Sequence, residues 1–296
     1  MLKVLALFIT TPKMCRVCTD LVVNIDQNTN IDSSTLDVEG CYKLTAIPSS
    51  WVNLQYLFCF DCTRLTEISY TLVNLHTLEC NHSCVLATIP STLVNLQILK
   101  CTNCPLLTEI PSTLVNLHIL DCSYCPLITT IPSTLVNLDS LRCVSCLGLT
   151  YISSTLTHLQ DVDCSFCPQL ISFPLTFVNL LELYCQDCPM LTSIPSTFTL
   201  LNVLDCRRCP QLTTIPATLV NNLQSLDCRW CSYLYVPFRI LQEFTLLRIN
   251  NKVAICAIKL KRRWRRIQRT KLSIFLNNMN TTIPCVLNEL ITNYVF

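Results

Sequence analysis

Glycine is almost missing from this chain of 296 residues, with only Gly40 and Gly148 present, where average usage of roughly 7% would give about twenty. That shortage excludes a glycine-rich phosphate-binding loop, and it means that corners normally turned by glycine are made in another way. Long apolar runs are lacking as well. No stretch approaches the ~18 consecutive apolar residues of a membrane-spanning helix. The opening MLKVLALFIT has one lysine and a short apolar run, but the following TTPKMC offers no small-x-small cleavage site, so cytoplasmic residence is expected rather than secretion. Histidine is scarce, and His76, His82, His118 and His158 are scattered through the chain. They form no nucleophile, base and oxyanion-hole grouping, so neither an enzyme nor a bound cofactor or metal is expected.

Cysteine, by contrast, is abundant, with 23 in the chain. Charge is unevenly spread. Residues 36 to 237 hold seven Lys/Arg against fourteen Asp/Glu, a balance of −7, whereas residues 238 to 296 hold eleven against two, a balance of +9. Surfaces of opposite sign attract different partners, so the two regions are expected to do different work.

The dominant feature is a repeat. Ile47-Pro48, Ile89-Pro90, Ile110-Pro111, Ile131-Pro132, Ile194-Pro195 and Ile215-Pro216 fall on one 21-residue grid, with Ile68-Ser69, Ile152-Ser153 and Phe173-Pro174 filling the gaps. A period this constant means one structural unit stacked along an axis, because an insertion would break the contact between neighbours. Leu117 to Asn137 shows the unit as LHILDCSYCPLITTIPSTLVN. Leu120 and Cys122 lie two apart, so in an extended segment both point to one side while Ile119, Asp121 and Ser123 point to the other. One short parallel strand per unit is predicted, with leucines stacked into a ladder that no single unit can bury alone. The Pro-bearing return path through IPSTLVN suits an extended or 3₁₀ arc better than an α-helix.

The text L-x-x-L-x-C-x-x-C-P-x-L-T-x-I-P-S-T-L-V-N resembles the leucine-rich-repeat consensus. It is similar to the bacterial-effector type of that family, and its near-verbatim copies and cysteines also resemble repeat proteins of large DNA viruses. The resemblance implies an α/β-type solenoid dominated by short parallel β-strands, an arc of about ten repeats with a concave strand face, serving as a protein–protein interaction scaffold. For a viral protein that role would lie in the host cytoplasm. Three parts are expected: an N-terminal flank over residues 1–32, the solenoid over 33–237, and a C-terminal cap with a basic helical tail over 238–296.

The cysteines pair as C-x-x-C at Cys59/Cys62, Cys101/Cys104, Cys122/Cys125, Cys143/Cys146, Cys164/Cys167, Cys185/Cys188, Cys206/Cys209 and Cys228/Cys231, with Cys80/Cys84 one residue wider. Outside a repeat this spacing would suggest structural zinc. Inside one, both cysteines fall on inward positions, where a reduced thiol packs as a small apolar group and its S–H can satisfy a backbone carbonyl at the bend. Metal and disulfide readings remain as alternatives, with Cys15 and Cys18, outside the clear repeats, the open case for metal.

The outward strand positions are the candidate recognition surface. After the second leucine of each unit stand Asp37, Phe58, Glu79, Lys100, Asp121, Arg142, Asp163, Tyr184, Asp205 and Asp227. Three positions later come Asp61, Tyr124, Phe166, Asp187, Arg208 and Trp230. Aromatic and arginine side chains are enriched where proteins bind one another, which marks Phe58, Tyr124, Arg142, Phe166, Tyr184 and Trp230 beside Asp121, Asp163, Asp205 and Asp227. A partner with a basic or amphipathic surface complements the acidic column.

The tail reads Lys259 to Lys271 as KLKRRWRRIQRTK. A helix there sets Leu260, Trp264 and Ile267 on one side and Lys261, Arg262, Arg263, Arg265 and Arg266 around the rest. Such a helix caps the last repeat, or engages a calmodulin-like protein or an acidic membrane surface. Sequence-specific nucleic-acid binding is not expected, since base-reading motifs are lacking. Farther on, Ile283-Pro284-Cys285-Val286-Leu287-Asn288-Glu289-Leu290-Ile291 resembles the opening of an F-box, which implies docking on a ubiquitin-ligase adaptor. The same residues also read as a decayed copy of the repeat text TTIPSTLVNL.

Overall fold

A computed structural model describes residues 34–235. The stretch holds ten three-residue strands: β1 (Thr35–Asp37), β2 (Tyr56–Phe58), β3 (Thr77–Glu79), β4 (Ile98–Lys100), β5 (Ile119–Asp121), β6 (Ser140–Arg142), β7 (Asp161–Asp163), β8 (Glu182–Tyr184), β9 (Val203–Asp205) and β10 (Ser225–Asp227). They form one sheet in chain order, every neighbour parallel and paired residue for residue, as in Ile119↔Ser140, Leu120↔Leu141 and Asp121↔Arg142. At ~4.8 Å per step the sheet is roughly 45 Å long.

The inward positions of one unit are Leu117, Leu120, Cys122, Cys125, Ile128, Ile131 and Leu135, all within 3% of full burial. Their equivalents in the other described units join them in one continuous core, except that a buried serine, Ser83, takes the place of Cys125 in one unit. After the strand these positions recur every three residues, too tight for an α-helical face. The backbone answers with successive turns, Ile128 N donating to Cys125 O, Leu135 N to Pro132 O and Leu138 N to Leu135 O. The return path is therefore a string of turns, as the prolines suggested. A 3₁₀ helix forms at Ala217–Asn221, where the doubled Asn221-Asn222 has to be housed. Large residues enter the same inward column near the C-terminal end, where Phe177 and Phe198 stack with centroids 6.4 Å apart.

Two side-chain ladders hold the turn face. Eight threonines, Thr71 to Thr218, donate Oγ1 to a backbone carbonyl of the preceding unit at 2.5 to 2.7 Å. Asn74, Asn95, Asn116, Asn137, Asn179 and Asn222 do the same through Nδ2. The asparagine ladder skips His158 and Leu200, which occupy its column.

The thiols form a third ladder inside. The second cysteine of a unit donates its S–H to the carbonyl of the first strand-end residue one unit back: Cys104 to Cys80 O at 3.3 Å, Cys125 to Cys101 O at 3.0 Å, Cys209 to Cys185 O at 3.0 Å. Eighteen described cysteines are free, all buried except Cys84. Cys41 is disulfide-bonded. Burial pushes the thiol pKa of Cys59 and Cys164 far up and that of Cys228 to about 12, whereas hydrogen bonds with the neighbouring thiols pull those of Cys125, Cys188 and Cys231 down. Among the described residues no group of three or more His, Cys, Asp or Glu is placed to hold a metal ion. Cys15 and Cys18 lie outside the described residues.

One cysteine pairing needs correction. Cys84 does not complete the thiol column beside Cys80. Ser83 does, fully buried, while Cys84 sits exposed where other units carry proline. The register is thus unbroken, but the shorter hydroxyl arm leaves the buried Ser83 Oγ without a partner.

The corner between the two thiols is where glycine is conspicuous by its rarity. Gly40 adopts φ 69°, and Asp61, His82, Asn103, Tyr124, Ser145, Phe166, Asp187, Arg208 and Trp230 repeat it at φ 53° to 62°. The chain does not avoid the left-handed corner; it makes it with ordinary residues, at ~1–2 kcal/mol each. The offset is an inter-unit hydrogen bond at the corners from Gly40 to Arg208, such as Asn103 N to Ser123 O and Phe166 N to Gln186 O, both 2.8 Å.

Two stability changes follow. Ser83→Cys restores the missing sulfur donor and raises stability by about 1 kcal/mol, read as a higher urea midpoint at unchanged slope. Ser145→Gly relieves the corner by about 1 kcal/mol, whereas Ser145→Val, β-branched in a left-handed position, lowers the midpoint.

Candidate recognition surface

In each strand the middle residue is buried, while the first and third face outward in most units. The third positions align across the sheet through the register Phe58↔Glu79, Glu79↔Lys100, Lys100↔Asp121, Asp121↔Arg142, Arg142↔Asp163, Asp163↔Tyr184, Tyr184↔Asp205 and Asp205↔Asp227. Phe58, Asp121, Arg142, Asp163, Tyr184, Asp205 and Asp227 thus form one column. Tyr124, Phe166 and Trp230 stand in the next, on the left-handed corners, with 54%, 39% and 46% of their surface exposed. The corner conformation lifts these side chains clear of the sheet.

Much of the acidic column is already engaged within the chain. Asp37, Asp121, Asp163, Asp205 and Asp227 each accept, through Oδ1, the backbone N–H two residues on, at 3.1 to 3.3 Å. That contact closes the turn after the strand, which is a structural reason for aspartate at this position. Glu79 pairs with Lys100 at 3.0 Å. At the C-terminal end Arg207 and Arg229 fold back on Asp205 and Asp227 at 2.7 Å, and Arg208 lies 3.6 Å from Asp187. Arg207 also donates to Gln186. The guanidinium carbons of Arg208 and Arg229 sit 5.2 and 4.9 Å from the Trp230 ring centroid, a geometry in which cation and ring attract. Trp230 therefore belongs to a preassembled arginine–aspartate cluster rather than standing alone.

Sequence reasoning missed the first strand position. There Asp161 and Glu182 face one another across β7 and β8, and Tyr184 donates to Glu182 Oε2 at 2.9 Å. Burial, with Glu182 beside it, raises the pKa of Asp161 against the opposing pull of Arg142. Burial and the bond to Glu182 push the Tyr184 phenol to about 12. His118 Nδ1 and Asp139 Oδ2 meet at 2.8 Å just before the strands. Reading every outward column, not only the third, would have found these pairs. Around the middle of the sheet, His82, Asn103, Tyr124, Arg142, Val144 and Asp163 are among the residues lining a depression of about 490 Å³. Lys261, Arg262, Arg263, Trp264, Arg265 and Arg266, and the F-box-like segment, lie outside the described residues.

Comparison with known proteins places this geometry. The Leucine Rich Repeat family model matches residues 95–117 and 116–138. Among solved structures, the leucine-rich repeat domain of the type III effector XopL is similar with a TM-score of 0.52 and 22% identity, covering 75% of this chain and 78% of that one. The functional domain of InlJ from Listeria monocytogenes, described as including a cysteine ladder, gives 0.49 and 20%, covering 73% of this chain and 63% of that one. A Leptospira interrogans LRR protein gives 0.43 and 21%, over 71% and 70%. No curated protein matches at a significant level.

Asp161 supplies a pH test. Its carboxyl binds a proton more tightly folded than unfolded, so its contribution to stability is full below the unfolded pKa and is lost as pH rises through the raised folded value. Asp161→Asn is expected to raise the melting temperature at pH 7 and to lose that advantage at pH 3, measured by thermal unfolding at both.

Proposed function

We propose that this leucine-rich-repeat protein is an interaction scaffold that holds a partner protein on its concave strand face. The fold is typical of protein-binding scaffolds, and it displays the products of many units on one surface. The observation that carries the reading is the segregation of chemistry. In nine units the turn segment, IPSTLVN and its variants, contains no Asp, Glu, Lys or Arg. The strand and the corner after it differ in nearly every unit, carrying acids, arginines and exposed aromatics. A face that varies while its scaffold repeats is built for a particular surface, and aromatic and arginine anchors dominate binding energy in such contacts.

Eighteen described cysteines are free against one, Cys41, in a disulfide. That predominance of free thiols supports a reducing compartment, and we propose the cytoplasm, which for a virus-encoded chain means that of the host. A second reading rests on the tail sequence at Ile283 to Ile291, whose F-box likeness would make the protein an adaptor presenting partners to a ubiquitin ligase.

Affinity purification with mass spectrometry tests both, using the full chain. Tyr184→Ala with Trp230→Ala should reduce partner capture at least tenfold, while Val115→Ser with Val136→Ser on the turn face leaves it intact. Unchanged capture by the first pair moves the site off the strand face. Pro284→Ala with Leu287→Asp should release a ligase adaptor without releasing the strand-face partner, and an adaptor absent from the intact chain removes the second reading.

A further inference from the structure

Arg142 stands apart from the other cations of the strands and corners. Lys100, Arg207 and Arg208 each have an acid within 3.6 Å, and Arg229 has one at 2.7 Å. Arg142, exposed at the end of β6, forms no ion pair among the described residues, although Asp121 and Asp163 flank it in register on β5 and β7. Those two carboxylates are turned onto the N–H groups of Ser123 and Ser165 at 3.1 Å. Among the described residues the exposed guanidinium makes no hydrogen bond, its influence falling on the carboxyl of Asp161.

Its surroundings form a slot. The corner residue of the Arg142 unit is Ser145, small, while the corners on either side are Tyr124 and Phe166. Two strand steps put these aromatic residues ~10 Å apart. Arg142, Val144 and Tyr124 line the depression described above, with Asp121 and Asp163 beside Arg142, while Phe166 stands outside that lining.

We infer that this slot takes an acidic side chain of the partner protein, flanked on the partner by basic residues. The proposal deepens the strand-face reading and rests on it. A planar guanidinium binds a carboxylate through two parallel hydrogen bonds, and Tyr124, lining the same depression, shields one side of that pair from water. Asp121 and Asp163 then face the partner's cations, making a minus-plus-minus column that selects plus-minus-plus. A wholly acidic segment is turned away by Asp121, Asp163, Asp161 and Glu182. A wholly basic one sets a like charge on Arg142, and juxtaposed like charges are how interfaces reject wrong partners.

The test uses the full-length protein and four fluorescein-labelled peptides of one alanine-glutamine background with central trios Lys-Glu-Lys, Glu-Lys-Glu, Lys-Lys-Lys and Glu-Glu-Glu, read by fluorescence anisotropy at low ionic strength. Lys-Glu-Lys should bind at least tenfold more tightly than the rest. Arg142→Glu, a surface exchange, should move the preference to Lys-Lys-Lys. An unchanged ranking in Arg142→Glu, a wild-type preference for Lys-Lys-Lys, or no binding of Lys-Glu-Lys overturns the proposal. If captured partners survive Arg142→Glu yet are lost with Tyr184→Ala and Trp230→Ala, the strand face stands as the binding surface and only the carboxylate slot falls.

Discussion

Everything in the molecule depends on bonds that leave one unit and end in the next. The strand ladder, the threonine and asparagine ladders, the sulfur ladder and the corner N–H bonds all join residues about one period apart, from Gly40 and Phe60 to Thr134 and Ser112. A unit of a different length would misalign all of them together. This is why the period holds at 21 residues through the chain and why the one extra residue, at Asn221-Asn222, had to enter a 3₁₀ turn. Even there the ladders continue, with Asn222 reaching Thr199 O and Cys231 reaching Cys206 O. Stability in such a stack is a sum over neighbour interfaces, so each conserved bond counts once per interface.

The same constraint divides the residues into two kinds. Positions that feed a ladder or the core are nearly invariant across units because each must reach the same backbone carbonyl or fill the same space one unit away. Positions that feed neither are free to differ, and the outward strand positions and the corners are among them. The separation is not complete, however, because five aspartates of the third strand column close the following turn with Oδ1. Their frequency in that column reflects turn chemistry first, and any role toward a partner falls to the remaining oxygen.

The repeat, the strands, the inward leucines and the packed thiols were all legible in the sequence, since each is a matter of period and of which side a residue faces. Side-chain pairing was not. That Arg207 and Arg229 turn back onto Asp205 and Asp227, while Arg142 leaves Asp121 and Asp163 alone, depends on conformations that spacing does not encode. Ser83 shows a different limit. A C-x-x-x-C spacing invited pairing Cys80 with Cys84, yet the ladder counts positions rather than sulfur atoms, and the constant period puts Ser83 in the column. The period was the better guide there, and trusting it over the cysteine spacing would have placed Ser83 correctly.

The scarcity of glycine has its meaning at the corners. Nine of ten left-handed corners among the described residues are made by residues for which that conformation is unfavourable, although glycine would adopt it without strain, as Gly40 does. Glycine, however, presents nothing to a partner. Each corner side chain projects beside the strand column, and Tyr124, Phe166 and Trp230 are among the most exposed aromatic groups of the strand side. The corner itself is held by its backbone N–H and by the neighbouring thiol, neither of which depends on the corner side chain. Any residue can therefore stand there at a cost of ~1–2 kcal/mol. Strained backbone tends to persist where a surface has work to do. In this chain the left-handed column runs beside the outward strand column, so the near absence of glycine is a loss of stability that comes with side chains displayed on the strand side.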